Sequence, residues 1–167
     1  YKYFNVLNMI SIIVLTPFWS AFTDAYVKKD FDWMKNMVKK LERMWLLCIP
    51  ALVIMVLCSD SLYKYLVGDS VVISLSLSIN MAFFMLFQTI GNLYMYLING
   101  TGKVRLQLIL YLSIATIAIP IMQLSCQLYG VEGILLVPTI TFGLQALVGK
   151  IQISKITKNT AKGIWLK

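Results

Sequence analysis

The chain has 167 residues, 59% of them apolar, a mean hydropathy of +0.78 and a formal charge of +8. Soluble domains are usually ~45–50% apolar, so this composition excludes an ordinary soluble fold and points to an all-α polytopic membrane protein. The absence of histidine excludes an imidazole base and a His-ligated metal, and the positive charge fits basic membrane-flanking loops rather than a nucleic-acid surface.

The charges cluster, leaving several uncharged runs of roughly 20 residues, the length that crosses a ~30 Å hydrocarbon core. About five transmembrane helices and one interfacial amphipathic helix are expected. The chain opens on Tyr1-Lys2-Tyr3 and enters an apolar run with no basic leader and no small-residue cleavage site. That is not a signal peptide, and we expect the C-terminal part of a longer protein. Cys48 and Cys58 fall on one predicted helix, ~15 Å apart along its axis, too far to bridge. With Cys126 they read as small apolar residues.

The first span is predicted at residues 3–22. Asn5, Asn8, Thr16, Trp19 and Thr23 share an arc of roughly 120° on it. A polar stripe in a membrane helix should face protein or a water-filled cavity. Pro17 removes one backbone donor there. The next helix is predicted at 30–43, N-capped by Asp30 with Asp32 in its first turn. Phe31, Met34, Val38, Leu41 and Trp45 recur at helical spacing, with Lys35, Lys39, Lys40 and Arg43 on other faces. That pattern predicts a helix lying on the membrane surface, its lysine stems snorkelling to headgroups, with direct contact to a substrate phosphate as the other reading.

The second span, 44–58, holds Pro50 and no Asn, Gln, Ser or Thr, so it is predicted to be the most lipid-exposed helix. A short link, 59–70, carries Asp60, Lys64, Gly68 and Asp69. In the third span, 71–98, Asn80, Gln88 and Asn92, with Asn99 just beyond, share an arc of roughly 120°. They either bond between helices, at ~0.6–2 kcal/mol each, or wall a cavity that takes a hydroxyl-rich substrate. Asn99-Gly100-Thr101-Gly102-Lys103 reads as a tight turn. It is not a phosphate-binding loop, because the upstream Gly is missing and Val104 stands where a Ser or Thr would meet Mg²⁺. Its formal glycosylation sequon lies at a membrane boundary on the predicted cytoplasmic side and is discounted.

The fourth span, 104–129, places Arg105, Ser113, Thr116, Pro120, Gln123 and Gln127 within roughly 80°. A turn at Gly130-Val131-Glu132-Gly133 follows, then a fifth span, 134–153, with Pro138, Thr141, Gln145, Gly149 and Gln152 on one face. The tail, 154–167, is basic and expected to be cytoplasmic and poorly ordered. The loop after span one, the 99–107 turn and the region from Lys150 carry 6, 2 and 5 basic residues, against only Lys2 and Lys64 on the other side. This bias puts the N-terminus outside and the C-terminus in the cytoplasm.

No Asp, Glu, Lys or Arg falls at mid-membrane depth, and no metal-ligand spacing, nucleophile elbow or Cys/His cluster occurs. The residues therefore argue against an enzyme, a metal and a cofactor. Amide and hydroxyl stripes suit a polar, uncharged ligand such as a sugar chain, and they suit helix–helix packing equally.

Several motifs resemble the Wzx-type polysaccharide (O-antigen) flippases of the MATE-like MOP superfamily. Pro17-Phe18-Trp19-Ser20-Ala21-Phe22-Thr23-Asp24-Ala25, followed by the basic stretch 28–43, is similar to the family signature that closes a late transmembrane helix. Leu62-Tyr63-Lys64-Tyr65-Leu66-Val67-Gly68 resembles its short hydrophobic segment ending in Gly. Asn99-Gly100-Thr101-Gly102-Lys103 with Arg105-Leu106-Gln107, and Tyr129-Gly130-Val131-Glu132-Gly133, are similar to its two turns. The resemblance covers nearly the whole chain, as helices eight to twelve of a twelve-helix transporter.

It implies an incomplete MATE-like C-terminal lobe in a bacterial inner membrane. The implied activity is flipping of undecaprenyl-pyrophosphate-linked oligosaccharide by alternating access, with membrane lipids, a polysaccharide polymerase and a chain-length regulator as further partners. Under it, Trp19 and Asp24 lie beside the cavity mouth. Asn80, Gln88, Asn92, Gln123 and Gln145 are the expected substrate-path residues, and either Arg105 and Lys103 meet the pyrophosphate at entry or the missing N-terminal lobe carries the positive charge. Five helices alone would not transport. The alternatives are a drug or cation antiporter of the same superfamily, a membrane-embedded polysaccharide polymerase, or a purely structural helical subunit.

Overall fold

The computed structural model describes residues 1–67 and 73–166. Among them the chain is helical throughout: α1 (Lys2–Val27), α2 (Phe31–Trp45), α3 (Cys48–Val67), α4 (Leu75–Thr101), α5 (Arg105–Tyr129), the one-turn α6 (Val131–Ile134) and α7 (Leu136–Thr157). A 3₁₀ turn at Gly163–Leu166 closes it. Five stretches are long and apolar enough to cross a membrane, with α2 and α3 forming one and α6 and α7 another. α1 and α4, with 26 and 27 residues, are each about 40 Å long. Their ends therefore reach beyond a ~30 Å hydrocarbon core into the interfaces.

α4 is the centre of the bundle, packed along α7 on one side and α1 on the other. Lipid is as apolar as leucine, so burial alone does not drive such helices together; close packing and interhelical hydrogen bonds do. Two glycines permit the approach. A Cβ on Gly149 of α7 would stand 2.7 Å from Tyr94 Cβ, and one on Gly100 of α4 would stand 2.8 Å from both Phe22 Cβ and the Trp19 carbonyl oxygen of α1. Gly100 is thus a packing residue in the last turn of α4, and the expected tight turn is confined to Gly102, which caps the helix in the left-handed region at φ +72°.

Contacts fix the helix directions. Phe4 packs in one cluster with Phe84, and Trp19 lies edge-on to Tyr96, so α1 and α4 run parallel. Gln145 meets Gly91 and Gln152 meets Lys103, so α7 runs parallel to them as well. Trp45 reaches Thr89 while Tyr3 reaches Met55, so α2 and α3 run the opposite way. Tyr111 bonds Gln145 while Arg105 follows directly on the end of α4, which makes α5 antiparallel too. The strict alternation expected of successive membrane spans is present, and it gathers Lys28–Arg43, Lys103, Arg105 and Lys155–Lys162 at one end.

The fold departs from expectation in five places. α2 has the predicted period and the predicted cap, with the Asp30 side chain accepting from the Trp33 N–H at 3.0 Å. Its apolar face, however, does not lie on a membrane surface. Met34, Val38 and Leu41 are buried in one core with Phe22, Leu97, Ile98 and Ile153, flanked by Phe31 and Trp45. After a break at Leu46 and Leu47 the chain continues directly into α3.

α3 begins four residues later than predicted and absorbs the first part of the expected link. Asp60 and Lys64 pair at 2.8 Å one turn apart, which extends the helix rather than ending it. Gly68, Asp69 and the start of the third span at 71–72 lie outside the described residues. α4 begins at Leu75, where Ser74 Oγ accepts from the Leu77 N–H at 3.1 Å.

The least covered helix is α5, not α3: Gln107 is its one buried residue, whereas α3 buries Leu52 and Ser59. The fifth span splits at Leu135 into α6 and α7. The described part of the tail packs against the bundle. Ala161 joins the core, Lys155 Nζ sits 3.8 Å above the Trp165 ring, and Gln152 Nε2 lies 3.5 Å from the Trp165 carbonyl oxygen.

Candidate functional site

The polar side chains of the spans divide into those that meet each other inside the bundle and those that face away from it. Three interhelical groups join many of the inward ones, while Gln88 Oε1, Gln107 Nε2 and Gln152 Oε1 are buried without a hydrogen-bond partner among the described residues. At the end opposite the basic cluster, Glu132 of α6 accepts from Ser76 Oγ at 2.7 Å and Asn80 Nδ2 at 2.8 Å, with Ser74 Oγ at 3.3 Å. This carboxylate ties the α5–α6 turn to the start of α4. Midway, Asn92 Nδ2 donates to Asn8 Oδ1 at 3.1 Å and Asn8 Nδ2 to Asn5 Oδ1 at 3.3 Å, joining α4 to α1. On the other side of α4, Gln145 Nε2 donates to the Gly91 carbonyl at 2.9 Å, and the Tyr111 hydroxyl donates to Gln145 Oε1. One buried amide therefore links α4, α5 and α7.

Asn80, Asn92 and Gln145 are accordingly placed in packing contacts, each with a named partner. Gln88 is half-buried, and its Oε1 has no hydrogen-bond partner among the described residues. Gln88, Asn92 and Asn99 lie within about 40° on α4, between the direction in which Asn92 meets α1 and that in which Met95 meets Tyr111 of α5. α1 and α5 form no packed pair among the described residues. This strip of α4 is thus the floor between them, and all three side chains are half-buried.

Trp19 is exposed at the rim of this region, edge-on to Tyr96 with ring centroids 5.8 Å apart. Asp24 is exposed near the end of α1 and holds Lys28 Nζ at 2.8 Å. That hydrogen bond, with the carboxylate's charge, raises the pKa of the Lys28 ammonium above its ordinary value.

Arg105 and Gln123 stand apart from all of these. α5 packs through Gln107, Tyr111, Ile114, Ala118 and Ser125, which are buried or half-buried. At about 100° per residue these centre on one side of the helix, and Arg105, Ser113, Thr116, Pro120, Gln123 and Gln127 centre about 180° away. All six are exposed. The polar stripe therefore points directly away from the bundle. From Arg105 to Gln127 it extends about 33 Å, but not without a break: exposed Ile109 lies in the same arc, and no polar side chain falls on it over the ~12 Å between Arg105 and Ser113. Its apolar flanks, including Leu108, Ile119, Ile121 and Leu124, are exposed as well.

Sequence reasoning did not single out Tyr111, Glu132, Glu42 or Thr89 as polar partners. Glu42 accepts from the Tyr94 hydroxyl and lies 3.5 Å from Lys150 Nζ. Thr89 accepts from Trp45 Nε1 at 3.0 Å. Each hides in an apolar or charged run, and only the chain's folding pairs it. Among the described residues no group of three or more His, Cys, Asp or Glu could hold a metal ion. No family model, no curated protein sequence and no solved structure matches this chain.

Proposed function

We propose that this chain forms part of a membrane transporter that flips a lipid-linked, hydroxyl-rich oligosaccharide, with the outward face of α5 lining the path. The motifs resembling polysaccharide flippases set the class, with undecaprenyl-pyrophosphate-linked oligosaccharide as the substrate they imply. The observation that carries the reading is the stripe on α5. A helix surrounded by lipid gains nothing from amides such as Gln123 and Gln127 along its outer face, because each loses its water partners, whereas the Thr116 hydroxyl is satisfied by the Ser113 carbonyl at 2.7 Å. A stripe of Ser113, Thr116, Gln123 and Gln127, continued by Arg105 beyond Ile109, that no packing contact uses among the described residues fits a hydrated polar path.

The chemistry of the stripe suits the same cargo. Ser113, Thr116, Gln123 and Gln127 offer donors and acceptors without fixed charge, which matches sugar hydroxyls. Arg105, exposed at the basic end, is the stripe's one cation and stands where a pyrophosphate would arrive from the inner leaflet. Gln88 and Asn99, on the floor between α1 and α5, are a second polar surface that packing leaves partly open.

The test is replacement of Gln123 and Gln127 by Leu, singly and together, in a strain whose surface polysaccharide depends on the full chain. We expect export to fall at least several-fold while protein level stays normal, and Arg105→Ala to build up the lipid-linked intermediate. Normal export in the double variant would remove α5 from the path.

A further inference from the structure

At the basic end, α2, α4 and α7 border an open pocket of about 320 Å³ walled by Lys39, Glu42, Arg43, Trp45, Tyr94 and Lys150, the three cations exposed to solvent. Three cations face one carboxylate, and that carboxylate is already engaged: it accepts from the Tyr94 hydroxyl and lies 3.5 Å from Lys150 Nζ. Among the described residues neither Lys39 nor Arg43 has an acidic partner within 4.0 Å. The pocket thus carries an uncompensated positive charge in a concave setting, with donors converging from two separate helices.

Its depth is defined by the helices. Tyr94 is seven residues before the end of α4, and Lys150 seven before the end of α7. Both Cα atoms therefore lie about 10 Å inside the ends of their helices, about 5 Å within a ~30 Å hydrocarbon core centred on α4, a depth from which lysine and arginine stems reach up to the lipid phosphates. Trp45 is also a wall of a second cavity, an apolar groove of about 210 Å³ between α1 and the α2–α3 junction. Val14, Leu15, Met44, Cys48 and Leu93 line it. Trp45, its Nε1 bonded to Thr89 of α4 at 3.0 Å, stands between the basic pocket and the apolar groove, so an amphiphile with a negatively charged head in the first and a hydrocarbon tail in the second would have to pass this ring.

We propose that this is a binding site for an anionic phospholipid of the membrane. Its phosphate sits among Lys39, Arg43 and Lys150, and one acyl chain lies along the groove beyond Trp45. The basic pocket favours a headgroup with net negative charge over a zwitterionic one. The lipid would add to the ties that Glu42 and Trp45 already make from α2 to α4 and α7.

The experiment is native mass spectrometry of the full chain in detergent, titrated separately with phosphatidylglycerol and phosphatidylcholine. We expect phosphatidylglycerol adducts at several-fold higher occupancy. The combined variant Lys39→Gln, Arg43→Gln, Lys150→Gln should lose that preference at least fivefold. An equal loss of charge outside the pocket, Lys35→Gln, Lys40→Gln, Lys158→Gln, should keep it. Circular dichroism and thermal unfolding of both variants show whether each is folded; if the pocket variant unfolds, the single Arg43→Gln is read in its place and should reduce the preference measurably. Equal retention of the two lipids would overturn the site. So would equal losses in the two triple variants, which would mean diffuse surface charge only. Full displacement of phosphatidylglycerol by millimolar inorganic phosphate would overturn it too, because the groove would then contribute nothing.

Discussion

Gln145 and Gln123 carry the same amide and lie in neighbouring helices, yet the fold gives them opposite circumstances. Gln145 is 4% exposed and bonded to two other helices, whereas Gln123 is exposed and points away from the bundle. Interhelical hydrogen bonds in membranes contribute about 0.6–2 kcal/mol, and deleting one partner leaves the others without it. We expect Gln145→Leu to lower stability by about 1–2 kcal/mol, read as a lower midpoint of thermal unfolding in detergent, with Gln123→Leu close to wild type. An unshifted midpoint for Gln145→Leu would remove it as a tie between α4, α5 and α7. At this scale the sequence made the polar stripes legible, because periodicity reports which side chains share a face. It could not report what that face meets. Asn92 finds Asn8, 84 positions away along the chain, and Glu132 finds Asn80, 52 positions away, pairings that follow only from the helix packing.

Among the elements, α2 shows the same ambiguity on a larger scale. An apolar stripe at helical spacing is equally suited to a membrane surface and to a protein core, and the lysines opposite it look the same in both settings. What decides is the neighbourhood: Met34, fully buried, is packed in the core that also contains Phe22, Leu97 and Ile153. A core methionine replaced by alanine leaves a cavity, and we expect Met34→Ala to cost about 2–5 kcal/mol in reversible unfolding. A loss below about 1 kcal/mol would mean that the face is bathed in lipid, where small gaps fill. Helix ends were less legible than helices. Asp60 and Lys64 look like loop residues in sequence, but at i and i+4 they pair and carry α3 onward. Gly100 looks like part of a turn and is instead the surface against which α1 packs.

At the level of the whole molecule, the five-span count and the concentration of basic residues at one end were readable from composition and charge alone. Both survive in the alternating directions of α1, α2–α3, α4, α5 and α7. The division of labour between helices was not readable. Four polar stripes have similar composition, and only their packing separates the stripe of α5 from the stripes that bind helices together. That separation is the central claim, and thiol chemistry tests it directly, because a cysteine reacts as its thiolate and forms one only where water reaches it. In a background with Cys48, Cys58 and Cys126 replaced by Ala, single cysteines would be placed at Ser113, Thr116, Gln123 and Gln127, and at the flanking Leu108 and Ile121. A membrane-impermeant maleimide applied to the full chain in native membranes should label the four stripe positions and spare the two flanking ones. No labelling at Thr116 and Gln123, or equal labelling at Leu108 and Ile121, would contradict a polar path along α5.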